Sequence, residues 1–160
     1  VFPFLMADLI SQIIRKAGSW GNPISCCVMT YDERFLRRKV IIAEHGATLL
    51  VDLAHTTSLD HGDAFELTDG RLIEVIAAQE PLLEIRGNLI QLAWHIGNRH
   101  TPCQIEGYRL LIQNDPVIGH MLEHLGANVT QVNAPFTPEG GAYGHGRTHS
   151  HEHGTTAHEH

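Results

Sequence analysis

The chain has 160 residues, which suits one domain of ordinary size or two small ones, and its 42% of hydrophobic residues can bury a core. A formal net charge of −7 argues against nucleic acid as the main partner, because phosphate binding needs a basic surface. No stretch approaches the about 20 apolar residues of a membrane-spanning helix, so we expect no membrane partner.

The amino-terminal stretch and the cysteines bear on the compartment. The stretch up to Lys16 is apolar, but Asp8 interrupts it and no basic region precedes it, so it is a poor signal peptide. The cysteines (Cys26, Cys27 and Cys103) show no CxxC spacing and cannot all pair, which favours a reducing compartment. We therefore expect a cytoplasmic protein with structural thiols. A role for Cys103 as an extra soft metal ligand is the alternative.

Residues 1–78 are predicted to form a β-rich domain, a small sandwich or barrel. Short β-favouring runs are separated by Gly, Asp and Asn, and they read ISCCVMTYD, RKVIIAEHG, ATLLVDLA, DAFELTDG and RLIEVIAA. Asp69-Gly70 lies between the last two and predicts a two-residue hairpin turn. Three histidines of this domain lie beside turns without ligand spacing, so we expect solvated loop residues: His45, His55 and His61.

Residues 79–140 predict a second domain of the order βαββαβ. The strands read PLLEIRG, CQIEG, YRLLIQ and NVTQVNAPF. The first helix begins after Asn88 as its N-cap and is predicted to end at Gly97. The second begins with Asp115 and Pro116 and ends at Gly126. This order is the ferredoxin-like plan of two helices on one face of a four-stranded antiparallel sheet, within an α+β chain.

Residues 141–160 form a predicted third segment that is rich in histidine. The stretch HGRTHSHEHGTTAHEH alternates His with Gly, Ser, Thr and Glu and offers no apolar face to bury, so we expect a flexible tail. Imidazole is the commonest side-chain ligand for borderline transition metals, which predicts a metal-collecting arm. A purification tag is the alternative, although tags are usually unbroken His runs.

Histidines at the two predicted helices are the candidate ligands inside the fold. His95 and His100 are five residues apart across the end of the first helix, where they either cap its carbonyls or bind a metal. His120 and His124 are four apart, which places both on one face of the second helix. That pair either binds a divalent metal or belongs to an ordinary solvated face, opposite an apolar face of Val117, Ile118, Met121, Leu122 and Leu125.

Several motifs, in this order along the chain, resemble the UreE family of urease accessory proteins. They read TYDERFLRRK, LLVDLAHTTSLDHGD, DGRLIEVIAAQEPLLEI, WHIGNRH, CQIE, DPVIGHMLEHLGA and PFTPEGGAYGHG, followed by the His-rich end. The resemblance covers the chain from about residue 26 to the tail. It implies a peptide-binding-like first domain and a ferredoxin-like, metal-binding second domain.

The resemblance also implies a function that is not enzymatic. A member of this family is a cytoplasmic homodimer that binds Ni(II) and passes it to the urease apoprotein, together with a GTPase accessory factor. In the family's GNRH motif, the histidine meets its counterpart of the other protomer around one metal ion. The motif is intact here as Gly97–His100, so this role falls on His100. His95 keeps the capping interpretation.

One position departs from the family pattern. Some members carry DHV at the start of the second helix, where the histidine adds a secondary metal site, but this chain has Pro116 there. Residue 120 lies one turn further, about 6 Å along the axis and about 40° around it. We therefore hypothesise that His120 supplies the secondary site, with His124 as its partner, and the competing hypothesis is that the site is absent.

The family resemblance further implies ligands in the tail. His145 follows the GAY motif after one glycine and is the first candidate to close over the interfacial metal. Later candidates alternate with other residues and add capacity: His149, His151, His153, His158 and His160. Imidazoles favour Ni(II), Cu(II) and Zn(II), so Zn(II) and Cu(II) should also bind in vitro.

Two other classes of function are compatible with parts of the sequence. A metal-dependent hydrolase would need three fixed ligands and a general base, and the chain has no HExxH motif or locally supported catalytic triad. A passive metal buffer would need only the tail. Deletion of residues 145–160 separates a buffer, which would lose all function, from a chaperone with an internal site.

Overall fold

The computed structural model describes residues 9–140 and residue 147. These residues are mostly β-strand, with two α-helices and two sheets, so the α+β class is confirmed. They divide into two compact units, of which the first ends at Ala78 and the second begins at Gln79. None of the helices in the described residues is long and apolar enough to cross a membrane.

The first unit is a six-stranded sheet with the order β2-β6-β5-β1-β4-β3. Its strands are β1 Leu9–Arg15, β2 Ser25–Met29, β3 Phe35–Ile42, β4 Thr48–Ser58, β5 Ala64–Leu67 and β6 Leu72–Ala77. β1 runs parallel to β4 and β2 parallel to β6, whereas the other neighbours are antiparallel. Buried and partly exposed residues alternate along β6, as expected for a sheet with one face on a core.

Two predictions for the first unit need correction. β1 comes from the stretch that the sequence marked only as an apolar start, because a strand there needs its distant partners β4 and β5. The hairpin between β5 and β6 exists, but its turn is longer than the predicted Asp69-Gly70 pair. Leu67 accepts a hydrogen bond from the amide of Gly70 (2.8 Å), and its own amide donates to Arg71 (2.7 Å), which closes a three-residue loop. Gly70 takes the left-handed position (φ 91°) that such loops require.

The second unit is a four-stranded antiparallel sheet with the order β10-β7-β9-β8. Its elements are β7 Gln79–Arg86, α1 Leu89–Asn98, β8 Gln104–Ile105, β9 Leu110–Gln113, α2 Pro116–His124 and β10 Asn128–Pro135. The chain order of strands and helices is therefore βαββαβ.

Both helices pack on the same face of this sheet. One buried cluster joins residues of β7, β9, α1 and α2: Leu83, Ile85, Leu92, Ile96, Leu110, Ile112, Ile118 and Leu122. Helix α2 approaches the sheet closely at Gly119, where an added Cβ would lie 2.9 Å from Cδ1 of Leu83. The cluster fixes the helix axes, so the position of each histidine on a helix is fixed relative to the sheet.

Candidate metal-binding residues

Helix α1 ends in a Schellman motif that places His100 in the left-handed conformation. The amide of His100 donates to the carbonyl of Gly97 (3.0 Å), and the amide of Thr101 donates to Ile96 (3.3 Å). His100 has φ 57°, a conformation that costs an L-residue about 1–2 kcal/mol relative to a right-handed one. The residue is exposed, and Pro102 follows two positions later, as is common after this motif.

The predicted end of α1 at Gly97 is wrong. The helix continues through Asn98, and Arg99 is its C-cap. Gly97 lies inside the last turn, and the left-handed position that glycine usually occupies falls on His100. The predicted start is confirmed, because the Asn88 side chain accepts a hydrogen bond from the amide of Gln91 (3.3 Å).

His95 lies in the last turn of α1 and is partly buried. Its ring packs edge-on against Trp94, with the ring centroids 5.1 Å apart and the planes at 88°. This contact gives the His95 ring a packing role beside the aromatic neighbour. The capping interpretation of His95 stays a prediction.

Helix α2 begins and ends where the sequence predicts. One carboxylate oxygen of Asp115 accepts hydrogen bonds from the amides of Val117 (2.9 Å) and Ile118 (3.2 Å), and Pro116 occupies the first turn. Gly126 takes the left-handed position after the helix (φ 91°). These local contacts set the direction in which the side chains of α2 project.

His120 and His124 meet on the exposed face of α2. Their Nε2 atoms are 3.1 Å apart, the ring centroids lie 4.6 Å apart, and the rings are perpendicular. Nδ1 of His120 lies 3.9 Å from the carboxylate of Glu123, at the range of an ion pair. The side chains of His120 and Glu123 are 73% and 56% exposed, so solvent or another molecule can reach the pair.

The apolar face predicted for α2 is narrower than the sequence indicated. Ile118 and Leu122 are buried and Met121 packs beside them, but Val117 is 73% exposed and Leu125 is 38% exposed. Gly119, which the hydrophobic pattern did not mark, is buried instead, because its missing side chain allows the close approach to β7.

Of the three histidines of the first unit, one makes a structural contact. His61 was expected to be only solvated, but its Nδ1 accepts a hydrogen bond from the amide of Ala77 (3.0 Å). His45 lies in a short 3-10 turn, Glu44–Gly46, with φ 68°. His55 is exposed on β4, as expected for a solvated residue.

The described cysteines are free thiols, and their surroundings favour structural roles. Burial raises the pKa of the Cys27 thiol to about 11 and that of Cys103 to about 12. Burial and the carboxylate of Glu44, which accepts a hydrogen bond from Sγ of Cys26 (3.2 Å), also raise the pKa of Cys26. A protonated, buried thiol is a poor metal ligand, so the structure favours the structural interpretation of Cys103 over the ligand interpretation.

The predicted ligands do not form a closed site within the part of the chain that the structure describes. Across residues 9–140 and residue 147, no three His, Cys, Asp or Glu side chains come together in a way that could hold a metal ion. The predicted tail ligands lie outside the described residues: His145, His149, His151, His153, His158 and His160. The candidate ligands among the described residues are thus His100 at the end of α1 and the pair of His120 and His124 on α2.

Comparisons with known proteins match each of the two units to a domain of a known family. Residues 9–78 match the family described as UreE urease accessory protein, N-terminal domain, and residues 75–160 match its C-terminal domain. A urease accessory protein UreE of Ruegeria pomeroyi is 63% identical over 141 residues, which are 88% of this chain and 95% of the relative. Proteins of the same name from Cereibacter sphaeroides and Paracoccus denitrificans are 57% and 56% identical, over 88% and 89% of this chain and 78% and 91% of their own lengths.

Proposed function

The chain belongs to the UreE family of urease accessory proteins, and from that premise we propose that it is a nickel-binding metallochaperone. It delivers Ni(II) to the urease apoprotein during assembly of the active site, as an accessory protein and not as an enzyme. Its cargo is Ni(II), and Zn(II) and Cu(II) compete for the same imidazoles in vitro, because affinity for nitrogen ligands follows the Irving–Williams order.

The observation that carries this proposal is the intact Gly97–His100 motif, whose histidine lies just past α1 in the left-handed conformation. Non-glycine residues persist in such conformations where the surrounding structure holds them, and they concentrate at functional sites. Here two backbone hydrogen bonds hold the residue just past the end of α1, where it is exposed. One imidazole is a weak ligand by itself, so the proposed site takes a second His100 from another protomer.

An apolar surface on the same helix supports the homodimer. Ile90 and Trp94 lie four residues apart on α1 and are 88% and 63% exposed. Apolar side chains of this size on one helix face mark a candidate interaction surface. A two-fold axis beside α1 would bring the two His100 rings together, and metal loading would then be coupled to dimerisation.

The remaining parts of the proposal follow from the family. We assign the second unit to the ferredoxin-like class, which the strand order β10-β7-β9-β8 supports, and the first unit to the peptide-binding-like class. Residues 141–160 are proposed as a flexible His-rich arm, in which His145 closes over the interfacial ion and the later histidines add capacity. The proposed partners are the urease apoprotein and a GTPase accessory factor, in the cytoplasm.

The experiment that tests the proposal combines nickel titration, oligomer size and urease activation. The key variant is His100→Gly, because glycine suits the left-handed position and removes only the ring. We expect it to lose the Ni(II) shared between two protomers and most urease activation, while the fold is retained. His55→Ala, which removes an exposed histidine of the first unit, is the matched control.

Deletion of residues 145–160 separates transfer from buffering. A chaperone with an internal site keeps part of its urease activation without the tail, whereas a buffer loses all of it. Full activation by His100→Gly would overturn the assignment of His100 as the transferring ligand.

A further inference from the structure

We propose that His120 and His124 form a bidentate chelate for a divalent transition metal on the exposed face of α2. This site belongs to one helix of one chain and does not need a second subunit. It is separate from His100 and from the position of the family's secondary site, which is Pro116 here. Metal binding at the pair stands on its own geometry, and only its use in nickel transfer rests on the proposed function.

The distance between the ring nitrogens fits a shared metal ion. Two imidazoles that bind one ion at about 2.05 Å each place their nitrogens about 2.9 Å apart at a 90° angle and about 3.3 Å apart at a tetrahedral angle. The observed separation of 3.1 Å between the Nε2 atoms of His120 and His124 corresponds to an angle of about 98° at such an ion. The two nitrogens therefore already lie at the separation of a shared ion, and binding needs only a rotation of the rings that turns both lone pairs to one point.

Metal binding at the pair changes only which nitrogen of one ring carries the proton. The 3.1 Å contact suits a hydrogen bond in which one Nε2–H donates to the other Nε2. When a metal ion takes both Nε2 lone pairs, the proton of the donating ring moves to its Nδ1, so each neutral ring keeps one N–H. The Nδ1 of His120 lies 3.9 Å from Glu123, and a small shift of this carboxylate would let it accept that N–H and fix the ring.

The helix backbone under the pair is held in place by its own contacts. Asp115 caps the first turn of α2 with two hydrogen bonds, while Ile118 and Leu122 anchor the opposite face in the core. Metal binding therefore orders only side chains and does not have to fold the helix.

The site is open to exchange. Two protein ligands leave the other coordination positions of the ion to water or to donor atoms of another molecule. The exposure of His120 and Glu123 allows a second ligand set to approach the same ion before the first one leaves. Such a site suits binding and release better than permanent storage.

The test follows Ni(II) alone, added to the full-length ¹⁵N-labelled chain, by paramagnetic broadening of amide signals. In the unchanged protein and in His55→Ala, Ni(II) added beyond the capacity of the proposed His100 and tail sites should broaden the signals of α2. His120→Ala and His124→Ala each remove one ring, and the site should then need about 100-fold more Ni(II), because the second ligand no longer acts intramolecularly. Alanine favours helix at both exposed positions, and the metal-free spectra verify that α2 is retained.

The outcomes separate this proposal from the proposed function. Equal broadening of α2 in either single variant would overturn the chelate, as would an equal loss in His55→Ala. His100→Gly should leave the broadening of α2 unchanged. If that variant also kept full urease activation, the assignment of His100 would fail while the chelate on α2 would stand.

Discussion

Helices α1 and α2 end in the same hydrogen-bonding motif, but different residues occupy its left-handed position. After α2 the position holds Gly126, with the amides of Gly126 and Ala127 bonded to Glu123 (2.9 Å) and Leu122 (3.0 Å). After α1 the same position holds His100. Glycine is the residue that this motif favours. The left-handed position therefore costs conformational free energy at His100 after α1, whereas Gly126 after α2 has no such cost.

The two helices thus present imidazoles in two ways. His100 occupies a fixed, non-helical position just past α1, and in the proposed shared site it supplies one donor per protomer. His120 and His124 extend from regular helix and supply two donors at once. His100 is thus placed by the cap at a helix end, whereas His120 and His124 are brought together by the helical repeat.

Truncation of a buried leucine in each helix tests whether the core anchors α2 as firmly as α1. Leu122→Ala empties a fully buried position, and we expect a loss of about 2–5 kcal/mol in the free energy of unfolding. Leu92→Ala on α1 should cost a similar amount, since Leu92 is 1% exposed. Denaturant unfolding measures both, and the control is Val117→Ala, which changes a 73% exposed side chain and should stay within about 0.5 kcal/mol. A loss in the control as large as in Leu122→Ala would contradict the described packing.

Reciprocal changes at the two helix ends test the comparison itself. His100→Gly should raise the free energy of unfolding by about 1 kcal/mol, because glycine adopts the left-handed conformation without a steric penalty. Gly126→Ala should lower it by about 1–2 kcal/mol at φ 91°. Thermal unfolding of the two variants in the metal-free protein measures the difference. Changes of the same sign would mean that the two ends are not equivalent in backbone strain.

The helix starts offer a smaller contrast. Asp115 accepts two backbone hydrogen bonds at α2, whereas Asn88 accepts one, of 3.3 Å, at α1. We expect Asp115→Ala to cost about 1–2 kcal/mol and Asn88→Ala about 0.5–1 kcal/mol. Amide hydrogen exchange in the first turn of each helix, compared between each variant and the unchanged protein, would resolve the two effects. A larger acceleration in Asn88→Ala than in Asp115→Ala would contradict this ranking.

The pH dependence of the stability contributed by Glu84 distinguishes carboxylate titration from histidine titration. Hydrogen bonds from Arg86 and Arg109 lower the pKa of Glu84 below its usual 4.5. Because the folded pKa is the lower one, this stabilisation is complete well above pH 4.5 and disappears as the pH falls through the folded pKa. Arg86 is 52% exposed and water screens its interaction with Glu84, so Glu84→Gln should cost about 0.5 kcal/mol at pH 7.

The pH dependence of Glu84→Gln distinguishes the two kinds of titration. The difference in thermal stability between this variant and the unchanged protein should shrink as the pH falls below 4.5 and through the lowered pKa of Glu84. A difference that instead disappeared near neutral pH would point to a histidine and not to Glu84.

The sequence predicted α2 well because its signals are local. Asp115, Pro116 and Gly126 act on backbone groups within a few residues, so type and spacing suffice to place both ends. At the end of α1, Gly97 carried the same signal, but the hydrogen bonds to Ile96 and Gly97 put the left-handed position three residues later. The choice between two such ends depends on packing of the whole unit, which short-range patterns do not contain.

The sequence did not allow prediction of distances between side chains or of the pairing of distant strands. The spacing of His120 and His124 predicted a shared face, whereas the 3.1 Å contact depends on the rotamers of both rings. The pairing of β1 with β4, about forty residues apart, gave no local signal and left β1 unpredicted. The tail ligands lie outside the described residues and stay predictions, as does the role of His100.

The burial of sulfur has a consequence for the selectivity of the chain among metals. Cys27 and Cys103 keep their protons far above neutral pH because they are packed inside the two units. A thiophilic ion such as Cu(I) would have to displace a tightly held proton from a shielded position to bind either thiol, which disfavours binding there. In the proposed carrier, the exposed imidazoles are therefore favoured over these two thiols, and an ion held by imidazoles alone remains exchangeable.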